Sequence, residues 1–286
     1  MATNTPFGQR LGLVLEGGAM RGIYTAGVLD VFLEAGIMPD VVVGVSAGAL
    51  HGCSYVAGQK GRSIRYYRKY RSDKHFMGLY SLLTTGDVVG TKFCYEDIPL
   101  RLDPFNEAAF EKAPVDFYVT VTNVRTGKPE YILCDELKVG SKMDVIRAGA
   151  SMPLCSKMVE WNGNLYLDGG VSDSIPYAKM KDFGCRKSIV VLTQPAGYLK
   201  QPAAMAPFEA MYRKYPAFVE AMRGRDQMYN TEVCAVEQAA KQGDVFLIRP
   251  SKLLHVGRME HDIDVLNTQY ELGRQDARNQ MDAMRE

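Results

Sequence analysis

The stretch Val41-Val42-Val43-Gly44-Val45-Ser46-Ala47-Gly48-Ala49-Leu50 decides how the rest of the chain is read. A short β-branched run enters Gly-x-Ser-x-Gly and leaves through small helix-forming residues, the pattern of strand, one tight turn carrying a serine, then helix. The turn forces the serine into a strained backbone conformation, and side chains at Gly44 and Gly48 would collide with the neighbouring strand and helix. The Ser46 hydroxyl is thereby lifted out of a sheet at the N-terminus of a helix, where the dipole favours an oxyanion. A short pattern with three fixed letters also arises by chance, so its surroundings decide its meaning.

Upstream, residues 11–15 read as a buried strand running into Glu16-Gly17-Gly18-Ala19-Met20-Arg21-Gly22. A helical pattern follows from Ile23 to about Ala35, with Val28, Leu29, Phe32 and Leu33 as its apolar stripe and Gly36 as its end. Strand, glycine loop, helix, strand, serine turn and helix make a βαβα unit, which implies parallel strands and a right-handed crossover. The glycine loop lacks the G-x-G-x-x-G spacing of a dinucleotide site and the Gly-Lys-Ser/Thr of a Walker loop. It is placed to bring two or three N–H groups beside Ser46, as an oxyanion hole would, with Arg21 fixing the loop or meeting an anionic head group. A plain βα turn without chemistry is the competing reading.

Downstream, residues 52–71 read as continued helix, with Arg62, Arg65 and Lys69 on one face and Tyr66, Tyr67 and Tyr70 on another. Such a face is compatible with an anionic membrane surface, but a solvated basic face with packed tyrosines is favoured. Residues 72–114 predict short helices and loops forming a lid or entrance. Residues 115–124 and 130–134 predict a hairpin, and 144–150 a short helix before an apolar loop. Residues 157–161 and 165–167 predict short strands about Asn162-Gly163-Asn164. Then Leu167-Asp168-Gly169-Gly170 sets an aspartate at a strand end. A carboxylate can stand in for histidine as the base if it touches the hydroxyl in a partly desolvated site. Residues 187–193 and 244–249 predict two more strands, residues 203–241 helix with its Met and aromatic residues in the core, and the tail from about Asp262 a polar helix.

Composition narrows the classes. A chain of 286 residues with 47% hydrophobic residues can bury a core as one large α/β domain. A formal net charge of +1 argues against bulk capture of nucleic acid. Cysteines at 53, 94, 134, 155, 185 and 234 show no zinc spacing and are expected to be buried, reduced thiols in a reducing compartment. The polar start of the chain lacks an apolar signal core, and no apolar run reaches membrane-spanning length. A cytoplasmic protein, with peripheral membrane contact left open, is the expectation.

The three motifs, in this order, resemble the patatin-like phospholipase family, its bacterial intracellular branch in particular. The resemblance spans roughly residues 10 to 195; residues 200–286 resemble the family's helical part only loosely. It implies an α/β fold, a three-layer α/β/α sandwich with a mainly parallel central sheet, as one patatin-like domain over 1–286. It implies a serine acyl hydrolase acting on lipid or carboxylic esters, an esterase, phospholipase A or lysophospholipase-type enzyme, with no cofactor and no metal. Carried over by position, Ser46 is the nucleophile and Asp168 its base. Gly17, Gly18 and Ala19 give the oxyanion-hole amides, Arg21 is the loop's basic residue, and Gly44 and Gly48 are the elbow glycines. Two positions depart from the pattern: Ala19, where many members carry glycine, still offers an N–H, and Glu16, where plant members carry aspartate, is expected to be neutral.

Two other readings compete. An α/β-hydrolase with a Ser-His-Asp triad fits chain order if His255 or His261 serves with Asp168, although the elbow comes after too few strands for it. His51 and His75 are expected to be non-catalytic. A non-catalytic lipid-binding or regulatory protein on the same fold is the other, set against by the intact serine and aspartate.

Overall fold

The structure is a computed structural model and describes residues 10–253, 255–257 and 259–285. The reading of the polar start of the chain falls mostly on residues 1–9, outside the described residues. The strands are β1 (Arg10–Leu15), β2 (Val41–Val45), β3 (Asp116–Asn123), β4 (Pro129–Leu133), β5 (Val159–Trp161), β6 (Asn164–Asp168), β7 (Cys185–Val191) and β8 (Val245–Ile248). The helices are α1 (Ile23–Ala35), α2 (Ala47–Val56), α3 (Arg62–Tyr70), α4 (Leu79–Thr85), α5 (Glu107–Lys112), α6 (Lys142–Gly149), α7 (Ala206–Met211), α8 (Pro216–Arg223), α9 (Arg225–Lys241) and α10 (Ile263–Arg285), with a π-helical segment at Phe93–Leu102.

One sheet runs through the molecule in the order β5-β6-β3-β2-β1-β7-β8, with β4 also paired to β3. The β3-β2-β1-β7-β8 portion is parallel, and β4, β5 and β6 add antiparallel pairs. Alternate residues of the central strands feed two cores, as the two-residue period of a strand requires. Leu13, Leu15, Val42, Ile189 and Val191 pack against α1, α2 and α10; Val14, Val41, Val43 and Val190 pack against Tyr229, Val236 and Ala239 of α9. The result is the mixed α/β architecture that the resemblance implies, a mainly parallel sheet between two helical layers.

The registers fix where the strand ends meet. β2 pairs with β3 up to Val45 opposite Thr120, β4 occupies β3 from Tyr118 to Thr122, and β6, antiparallel to β3, ends with Asp168 opposite Val121. A strand has two edges, so β2 and β6 share one edge of β3 and approach end to end. The residue after β2 is Ser46, and the last residue of β6 is Asp168.

Three local expectations need correction. The helix read over 52–71 breaks after Val56, because Gly58 and Gly61 take left-handed φ of +66° and +72°. The helical run over 203–241 is three helices, α7, α8 and α9, with Pro216 starting the second and Gly224 flanking the third. Only Cys53, Cys134 and Cys185 are buried; Cys94 and Cys155 are partly exposed and Cys234 is exposed, and all six are free thiols. The tyrosines of α3 do pack inward, Tyr67 and Tyr70 being buried, while Arg62 is buried in an ion pair with Asp103, which Arg65 grips through two hydrogen bonds.

Candidate active site

Ser46 follows β2 with φ +52°, a conformation L-residues adopt only under constraint, and it flanks the N-terminus of α2. The constraint is close packing: a Cβ on Gly44 would lie 2.5 Å from Ala49 Cα, and one on Gly48 would lie 2.4 Å from the Leu15 carbonyl oxygen. Ser46 Oγ donates to Asp168 Oδ2 at 2.6 Å, and both residues are buried. The other carboxylate oxygen of Asp168 accepts the Gly170 amide at 2.8 Å, and Thr122 Oγ1 donates to the Asp168 carbonyl at 2.8 Å. Burial pushes the Asp168 carboxyl above the usual carboxylate range; the Ser46 hydroxyl, Arg225, the Gly170 amide and Lys200 pull it back.

The glycine loop lies directly on this pair. A Cβ on Gly17 would sit 2.8 Å from Ser46 Cβ, so only glycine lets the loop backbone approach so near. Ala19 takes φ +48°, the left-handed conformation that costs an alanine about 1 kcal/mol. The amides of Gly17, Gly18 and Ala19 donate to no protein acceptor among the described residues. Arg21 lines the adjacent cavity, and its Nε is buried without a hydrogen-bond partner.

Glu16, which opens the loop, anchors it. Its two carboxylate oxygens accept the Thr193 amide at 2.6 Å and the Tyr229 hydroxyl at 3.0 Å, tying the end of β1 to the end of β7 and to α9. Burial raises its pKa, opposed by the Thr193 amide, Lys200, Arg21 and Tyr229. Arg225 Nε donates to the Gly170 carbonyl at 2.5 Å, and Lys200 Nζ lies 4.0 Å from the centre of the Tyr229 ring. None of Lys200, Arg225 and Tyr229 carries a local sequence signature. Thr193 does carry one, since sites in parallel sheets form at the carboxyl ends of strands.

Two cavities meet at Ser46. One, of about 110 Å³, is mainly apolar, with Leu50, Phe76, Tyr95, Ile98 and Ile146 in its wall. The other, of about 170 Å³, is lined by Glu16, Arg21, Asp168, Lys200, Arg225 and Tyr229. Ser46, Ala19 and Met152 line both.

Among the described residues no histidine lines either cavity or bonds to Ser46 or Asp168. His51 is buried behind the elbow, its Nδ1 3.0 Å from Ser63 Oγ, and burial lowers its pKa to about 4. His75 sits beside Asp73, and His255 and His261 are exposed. The acidic trio Glu107, Glu111 and Glu136 lines neither cavity and surrounds Lys138, whose Nζ lies 3.1 Å from Glu111 and 2.9 Å from Glu136.

A buried serine–aspartate pair, set at the carboxyl end of a parallel sheet and opening on two cavities, marks the candidate site of this α/β protein. The sequence profile of the patatin-like phospholipase family matches residues 13–180. The chain belongs to that family, and it is an enzyme of the phospholipase type, a lipid acyl hydrolase. A second profile, a domain of unknown function (DUF6363), matches residues 215–286. The uncharacterized protein YjjU of Escherichia coli is 28% identical over 273 residues, 93% of this chain and 75% of that protein. The lysophospholipases nte1 of Aspergillus terreus and NTE1 of Saccharomyces cerevisiae are each 30% identical, over 62% and 64% of this chain. The chain spans only 11% of the length of either. The crystal structure of VipD from Legionella pneumophila superposes with a TM-score of 0.50 at 13% identity, covering 98% of this chain and 69% of that one, a likeness of fold alone. No helix among the described residues is long and apolar enough to cross a membrane.

Proposed function

We propose that this chain hydrolyses lipid esters through a Ser46–Asp168 dyad. The observation that carries the reading is the 2.6 Å hydrogen bond from Ser46 Oγ to a buried carboxylate, made where an apolar and a polar cavity meet. Asp168 accepts the Ser46 proton as Oγ bonds to the ester carbonyl carbon. The amides of Gly17, Gly18 and Ala19 hold the resulting oxyanion. Asp168 returns the proton to the departing alcohol, leaving an acyl-serine. A water then gives its proton to Asp168 and its oxygen to the acyl carbon, and Ser46 is restored as the fatty acid leaves.

The apolar cavity suits the acyl chain. The polar one, with Arg21, Lys200 and Arg225, suits an alcohol bearing an anionic head group, so a phospholipid or lysophospholipid is the favoured substrate. The same reading treats the chain as one patatin-like domain, because β8 extends the sheet and α9 helps to line the polar cavity. Free thiols throughout support a cytoplasmic location.

Hydrolysis of p-nitrophenyl esters of graded chain length and of lysophosphatidylcholine tests this. Ser46→Ala and Asp168→Asn should each lower kcat/KM by about 1,000-fold or more, while His255→Ala/His261→Ala stays near wild type. An inactive histidine variant would replace the dyad with a triad. A wild type inert to every ester and unlabelled by a fluorophosphonate points instead to a binding protein.

A further inference from the structure

Helix α4 is built inside out. Leu79, Tyr80, Leu82 and Leu83 are 70%, 42%, 39% and 77% exposed, while the buried residue of the helix is Ser81, whose hydroxyl donates to the Asp87 carbonyl at 2.8 Å. A helix of a water-facing surface shows the opposite pattern.

Two exposed lysines flank it. The exposed Lys74 lies 4.6 Å from the Tyr80 ring, and the exposed Lys157 donates to the Thr85 carbonyl at 2.6 Å. Between residues 72 and 92 the carboxylates are Asp73, held by His75, and Asp87, buried under the Lys157 amide and the Thr91 hydroxyl. Leucines and a tyrosine are therefore presented between two ammonium groups, those of Lys74, which has the part-exposed Asp73 beside it, and Lys157.

The helix stands on the wall of the apolar cavity. Met77 and Val89 bridge across its base and both line that cavity. The Gly78 amide donates to the Val88 carbonyl and the Val88 amide to the carbonyl of Cys155, a residue that lines the polar cavity.

We propose that the outer face of α4 docks the protein on an anionic lipid surface, with the leucines in the acyl boundary and Lys74 and Lys157 at the head groups. Two copies meeting through this face would set like charges together, whereas anionic lipid attracts them. Docking sets the wall of the apolar cavity against the bilayer, so an acyl chain has a short way to Ser46. The inference rests on the acyl-hydrolase reading for its purpose but not for its test.

Flotation of the Ser46→Ala protein with vesicles provides that test, because binding is read without turnover. The protein should float with phosphatidylcholine vesicles containing about one-third phosphatidylglycerol, and less with pure phosphatidylcholine. Leu79→Ser/Leu83→Ser should weaken partitioning at least about tenfold, and Lys74→Glu should weaken it on the anionic vesicles alone. With Ser46 intact, the leucine variant should hydrolyse p-nitrophenyl butyrate at the wild-type rate and vesicle phospholipid more slowly. Absence of flotation, or equal flotation of the leucine variant, overturns the proposal. So does a dimer that the leucine changes dissociate without any vesicle binding. Vesicle binding by a wild type inert to all esters would instead overturn the hydrolase reading and leave the docking surface standing.

Discussion

The proposed dyad requires Asp168 to be ionised before it can take a proton from Ser46, yet burial raises its pKa. The acid limb of kcat/KM on a soluble ester should therefore lie above the usual carboxylate range, with activity growing as pH rises through it. Arg225 is among the groups holding that pKa down. Arg225→Gln should move the limb to higher pH by about half a unit to one unit, with much of the rate recovered in alkali, while Arg225→Lys keeps it near its original place. A rate lost equally at every pH would show Arg225 to be only a prop for Gly170. At this scale the sequence was most legible where chemistry demands glycine: Gly17, Gly44 and Gly48 stand where no side chain fits. The anchoring role of Glu16 left no local signal, because its two partners lie 177 and 213 residues away. Arg225, Lys200 and Tyr229 sit in a segment whose composition announces only packing.

The strands were legible as elements because β-branched runs buried on both faces have few other fates. The pairing of Ser46 with Asp168 was legible only through the family resemblance and not from the residues themselves, since it depends on β2 and β6 sharing an edge of β3. The break between α2 and α3 was missed because Gly58 and Gly61 look tolerable inside a helix until their left-handed φ is known. Another helix feature was also invisible. A Cβ on Gly27 of α1 would lie 2.1 Å from the Tyr270 carbonyl oxygen, and one on Gly273 of α10 would lie 2.1 Å from the Tyr24 carbonyl oxygen. The two backbones touch through paired glycines. Gly27→Ala and Gly273→Ala should each destabilise by about 1–3 kcal/mol, seen as an earlier denaturant midpoint, and the double variant should cost less than the sum. Unchanged midpoints would mean that the helices can part without loss.

Several carboxyls inside the molecule are held in the same unfavourable way. Burial raises Glu16, Asp30 and Asp168, and it raises both Asp173 and Glu232, which share one pocket. Glu232 accepts the Ser174 and Ile175 amides, and Asp173 accepts the Tyr131 hydroxyl. A raised native pKa means that the folded protein binds the proton more tightly than the unfolded chain. That contribution is complete below the unfolded glutamate value of about 4.3 and is lost as pH rises through the native one. The Tm should accordingly fall from slightly acid to alkaline pH. Glu232→Gln keeps an oxygen for the two amides and should flatten that fall, raising the alkaline Tm by a few degrees; an equally steep profile would show that Glu232 is ionised throughout.

The contact between α1 and α10 also sets an order of events. Tyr24 donates to Asp276 across 252 residues of sequence, and Tyr270 donates to Asp30 across 240. α1 is the crossover that carries the glycine loop to the elbow strand, and ten of its thirteen residues are buried. Closing so long a loop is slow and comes late in folding. The helix that joins the glycine loop to the elbow strand is therefore fully seated only when α10 packs on it, so the ground beneath both motifs is among the last parts of the fold to set.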